Sequence, residues 1–174
     1  MKKWILAAVA AVLLAGGGWY FASPALAMSG LRDAVVAGDK DELAERVDFP
    51  SVRESLKSQF MAMMTAEMEK EKAKGNEFAG LGAMFATAIV GPMIDNFVTP
   101  SGLKAMVQHG QFKTDATAEK QKEQEWEVER DGLDHFRAVP KAKAGEKVPK
   151  LLFKRDGLSW RLVDIEIPDG GLGR

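Results

Sequence analysis

A chain of 174 residues, 46% hydrophobic and 28% charged, is long enough for one domain with a core of its own and too apolar for wholesale disorder. Two of its 24 basic residues precede residue 28, leaving 22 against 25 acidic ones in the remainder with both histidines neutral. That balance excludes a nucleic-acid partner, which needs a concentrated positive footprint. The absence of cysteine removes disulfides, thiolate catalysis, cysteine metal sites and a lipid carried on cysteine.

Lys2 and Lys3 precede an uncharged run from Trp4 to Leu31, and two readings of it stay open. In one, residues 1–22 are a retained membrane anchor. As a helix, Trp4–Ala22 spans about 28 Å, close to the hydrocarbon core of a bilayer. Trp4 and Trp19-Tyr20-Phe21 then fall at the two interfaces, with the lysines on the cytoplasmic side. In the other, the run is a cleaved secretory signal ending at Ala25-Leu26-Ala27. Gly16–Gly18 weakens a continuous helix and suits cleavage. Ser23-Pro24 reads as a helix start that cleavage would discard, which suits retention. Both readings export the rest of the chain.

The spacing predicts a helix over 24–37 stopped by Gly38, then a short helix through Arg46 opened by an Asp39–Glu42 capping box. Val47–Lys57 (V-D-F-P-S-V-R-E-S-L-K) reads as a specified corner. Pro50 turns the chain at Phe49, and Ser51 with Glu54 forms a second capping box. Val52, Leu56, Phe60, Met63, Met64 and Met68 continue at helical spacing to about Lys74. The charge-free stretch Phe78–Ile94 reads as a helix buried on most sides, with a membrane-inserted segment or a subunit contact as alternatives. Thr99-Pro100 opens a helix to Gln108, and Lys113–Glu125 reads as a mobile charged loop.

From Trp126 the period changes to two. Strands are predicted over 126–130, 133–139, 147–155 and 158–167, with tight type I′ turns at Asp131-Gly132 and Asp156-Gly157. The last strand is apolar on both faces, which predicts an interior or doubly covered position. Residues 23–168 are therefore one α+β domain, four to five helices packed on a four-stranded antiparallel meander, with a flexible tail over 169–174.

The segment A-V-V-A-G-D-K-D-E-L-A-E-R-V (34–47), the corner V-D-F-P-x-V-R-x-S-L-K and T-P-S-G-L (99–103) resemble a family of small bacterial envelope proteins known only as a domain of unknown function. The resemblance covers about residues 23–168. It implies a location in the bacterial cell envelope; together with the N-terminal segment, the expectation is the inner membrane with the domain on the periplasmic side, or the free periplasm after cleavage. It carries no catalytic residue over. A looser topological resemblance, to the cone-shaped nuclear transport factor 2 and ketosteroid isomerase superfamily, implies a curved sheet around an apolar pocket.

The candidate sites are few. Asp164, with Glu166, follows Trp160 and Leu162 on one face of the last strand; as a pocket carboxylate it is a candidate general base, and as a surface residue merely solubilising. His135, beside Asp134, is a candidate pocket base or a sheet-surface histidine. His109 suits a helix C-terminus, and Asp48 and Arg53 read as a pair fixing the corner. Phe60, Met63, Met64 and Trp160 are candidates for a ligand or partner surface, or else core. No metal-ligand spacing and no phosphate loop is present, so no metal and no cofactor is expected. The reading is an exported module, membrane-attached through its N-terminal segment, that binds a protein partner or an apolar, lipid-like ligand. A lyase or isomerase using Asp164 or His135 and a structural envelope subunit are the alternatives.

Overall fold

The computed structural model describes residues 2–75, 79–108, 125–142 and 148–168. His109, residues 113–124, residues 143–147 and the tail over 169–174 lie outside the described residues.

Helix α1, Lys2–Ala37, is a single helix of 36 residues, so the helix start expected at Ser23-Pro24 is instead an interior position. A proline inside a helix ordinarily costs about 3 kcal/mol, because it removes the N–H that bonds the carbonyl four residues back. Here that carbonyl, of Tyr20, accepts from the Ser23 hydroxyl at 3.2 Å and from the Arg130 guanidinium. The same guanidinium lies over the Tyr20 ring, 3.9 Å from its centroid. Ser23 and Pro24 are both buried, and the Ser23 hydroxyl also accepts from Trp160 Nε1 at 3.0 Å. The proline is thus held by contacts from distant strands.

Gly38, at φ +62°, closes α1 as expected: its N–H bonds the Val35 carbonyl and the Asp39 N–H bonds that of Ala34, the double closure of a Schellman end. Asp39 caps α2 (Lys40–Arg46) by accepting from the backbone of Asp41 and Glu42. The box is one-sided, because Glu42 turns to Arg46 at 2.7 Å. At the corner the cap is Asp48, accepting from Ser51 N at 3.2 Å, and α3 (Phe49–Ala73) begins at Phe49. The expected Ser51–Glu54 box is displaced because Pro50 fits the first helical turn, where no N–H is needed. The expected Asp48–Arg53 pair does not form. Asp48 is engaged as a cap, and Arg53 reaches Val98 O at 3.0 Å and Asp95 at 3.7 Å.

Asp95 also takes Lys57 at 2.6 Å, which ties α3 to α4 (Ala79–Phe97). α4 runs unbroken through Gly91-Pro92. It packs on α3 and α5 and leaves Ile89, Met93 and Phe97 exposed, so the expected burial on most sides does not hold over its described side chains. Thr99 caps α5 (Pro100–Gln108) through Gly102 N at 2.9 Å. At Gly102 a Cβ would strike the Phe97 carbonyl, so glycine is required there.

The sheet is an antiparallel meander in the order β1 (Trp126–Asp131), β2 (His135–Pro140), β3 (Lys150–Asp156) and β4 (Ser159–Glu166). One face carries Val128, Phe136, Ala138, Leu151, Phe153, Trp160 and Leu162, paired across strands, while Glu127, Glu129, Arg137 and Glu166 are on the other. Phe136 stacks on Phe153 at 4.6 Å and meets Trp160 edge-on at 4.8 Å. Against them pack Ala27, Leu31 and Ala34 of α1, Leu43 of α2 and Val52 of α3.

Both turns depart from type I′. The first is a three-residue loop, Gly132–Asp134, and the second a two-residue loop, Gly157-Leu158, in which glycine alone has positive φ, as in a II′ turn. The strand β4 lies at an edge of the sheet. Its open side is covered by the corner and by α3: Val47 bridges Leu162, Asp48 N bonds Leu162 O, and the Gln59 amide takes both Ile165 O (3.0 Å) and Ile167 N (2.7 Å). A side-chain amide so occupies the place of a further strand.

Candidate functional site

α1 crosses the buried face of the sheet with two adjacent stripes. Ser23, Ala27, Leu31 and Ala34 are pressed into the core, whereas Ala25, Met28, Arg32 and Val35 are turned one helical step aside. The second stripe faces Trp126 and Val128 of β1 with Leu151 and Phe153 of β3. Between them lies a groove of about 440 Å³. Its walls are apolar apart from Ser29 and Arg32. Arg32 donates to Asp33 at 2.8 Å and thus keeps its charge at the rim. A space of this size and lining can seat an apolar chain with one polar end at the rim.

Asp164 is elsewhere. Leu152 pairs with Asp164 but Phe153 pairs with Leu162, so Val163 is an extra residue and the alternation of β4 flips there. Asp164 thereby leaves the face of Trp160 and Leu162, contrary to the expected shared face, and accepts from the Ser55 hydroxyl and from Gln59 Nε2 at 3.1 Å. It sits with Glu54 and Glu166 in a shallow polar depression beside α3. His135 opens β2 on the β1–β2 turn, Nδ1 3.8 Å from Asp134, and lines neither cavity. The two do not converge on a common reacting position. Among the described residues no cluster of histidine, aspartate and glutamate is arranged to hold a metal.

Of the ligand or partner candidates, Trp160 is core, fixed to Ser23. Met63 is exposed on α3 with Phe60 and Met64 half-buried nearby, so Trp160 does not share a surface with them. The groove residues escaped the sequence reading because Met28 and Val35 are nine or more decades of sequence from their partners on β1 and β3; only the W-E-V alternation of β1 hinted at an apolar face awaiting a cover.

These features define a class: a small α+β domain whose first helix is also the one described helix long and apolar enough to cross a membrane. More particularly, the chain belongs to the family described as protein of unknown function (DUF2939), which matches residues 13–106, from within α1 to α5. No curated protein and no solved structure matches the chain.

Proposed function

We propose that the chain is a non-enzymatic module, held by α1 in the inner membrane of a bacterial cell envelope with its domain on the periplasmic side, that binds an apolar, lipid-like ligand. The observation that carries this is the groove between α1 and the sheet, which begins at Ala25, three residues beyond the apolar span. An acyl-type chain leaving the outer leaflet meets the groove at once, and Arg32 at its rim suits a polar or anionic head. The sidedness rests on Lys2 and Lys3 before the span.

Native mass spectrometry of the full chain released from its membranes tests the reading. An apolar adduct is expected, and Val128→Trp, which fills the groove, removes it. Wild-type protein free of adduct contradicts it. A second reading, a structural subunit of an envelope complex, is favoured by Ile89, Met93 and Phe97, exposed four apart along α4. It predicts an oligomer in mild detergent that Met93→Lys dissociates.

A further inference from the structure

We infer that the β1–β2 and β3–β4 turns form a second membrane contact, in which Leu133 and Leu158 enter the interface of the bilayer that α1 spans. This rests on the reading of α1 as a retained anchor.

Tyr20 meets Arg130 near the end of β1, while the part of α1 from Ala25 to Val35 flanks a groove whose other wall runs back to Trp126. Following α1 toward its N-terminus therefore means following β1 toward its turn. In a meander the first and third turns share one end of the sheet, and here they are bonded together: Arg155 N donates to Asp134 O at 2.7 Å and Arg155 Nε to Leu133 O at 2.9 Å. Leu133 is 71% exposed and Leu158 76%, the apolar tips of the two copies of R-D-G-L.

The level of these tips follows from helix and strand geometry. Asp131, the last residue of β1, and the first residue of the turn extend about 7 Å past Arg130. The same distance back along α1 from Tyr20 is about five residues, which reaches Ala15. The tips thus lie beside Ala15–Tyr20, close to Trp19 and Phe21, which are exposed and suited to an interface. Because α1 is continuous through Pro24, with Tyr20 and Ser23 bonded to β1 and β4, the domain is held close to the membrane.

Charge decides the mode of contact. Asp131 lies 3.8 Å from Arg137 and Asp156 3.8 Å from Arg161, so the tips carry acids beside their bases and no concentrated basic patch. The contact is apolar insertion, and it does not depend on anionic lipid.

The absence of cysteine supplies the test. Full-length Leu133→Cys and Leu158→Cys, each labelled with an environment-sensitive fluorophore, are reconstituted in phosphatidylcholine vesicles carrying nitroxide on the upper acyl chain. Glu127→Cys, at the opposite end of the sheet, is the reference. Several-fold stronger quenching at 133 and 158 than at 127, unchanged by added phosphatidylglycerol, is expected. Protein that floats with the vesicles but shows all three labels equally open to aqueous iodide overturns the inference and leaves the anchor standing. Tip labels shielded from iodide yet unquenched by lipid nitroxide indicate a protein contact and also overturn it. Protein that fails to float with the vesicles overturns the anchor reading itself, and this inference with it.

Discussion

From Trp4 to Phe21 helix α1 is apolar on every side and exposed over most of its length, whereas from Ser23 to Ala37 it buries one stripe and keeps the remainder half-buried or open. Composition alone separates these halves poorly, since alanine, leucine and valine dominate both. What differs is the partner. A helix apolar all round asks for a surrounding apolar medium, while a single stripe asks for one packed face. The two demands meet at Tyr20–Pro24, where Arg130 and Trp160 hold the helix to the sheet.

The largest expected effect comes from cutting at different points along this helix. Deleting residues 2–27 removes Ser23, Pro24 and Ala27 from the core, and the remaining chain should show no cooperative thermal transition by circular dichroism. Deleting residues 2–18 leaves those contacts intact; that domain should melt cooperatively yet no longer float with vesicles. Equal behaviour of the two truncations would erase the distinction between the halves.

Next in size is a matched pair of substitutions. Leu31→Ala, at a position 8% exposed, should lower unfolding free energy by about 2–5 kcal/mol. Leu14→Ala, at a position 76% exposed, should leave domain stability within about 0.5 kcal/mol. Denaturant unfolding in detergent reads both. The junction itself is probed by Arg130→Met, which leaves the Tyr20 carbonyl to Ser23 alone and removes the ring contact; a loss of about 1–3 kcal/mol is expected.

The smallest effect lies at the start of β1. The Lys141 ammonium, hydrogen-bonded to Glu125, holds that carboxyl below the usual carboxylate range. A depressed pKa contributes stability above the unfolded value and loses it as pH falls through the folded one. Both groups are exposed, so the melting temperatures of wild type and Glu125→Gln should differ slightly at neutral pH and converge in acid.

Where local chemistry decides, the sequence was readable: the Gly38 stop, the Asp39 and Thr99 caps, and the helix-then-strand order that makes the fold α+β. Where distant residues decide, it was not. Pro24 looked like a helix start because nothing nearby announces that Arg130 will satisfy the Tyr20 carbonyl. Asp164 looked like a neighbour of Trp160 because a bulge at Val163 leaves no mark on an alternating pattern. The apolar character of β4 suggests an interior or doubly covered strand; the strand is at an edge, and nothing local announces that Gln59, more than a hundred residues earlier, covers it. The groove was hidden for the same reason, its two walls being brought together only by the fold.

The central claim is that one uninterrupted helix serves as both tether and wall of the domain, and the intact mass of the chain isolated from its native membranes tests it most directly. The account predicts a chain that still carries the residues from Trp4 through Ala27. A mature chain beginning at Met28 would contradict it.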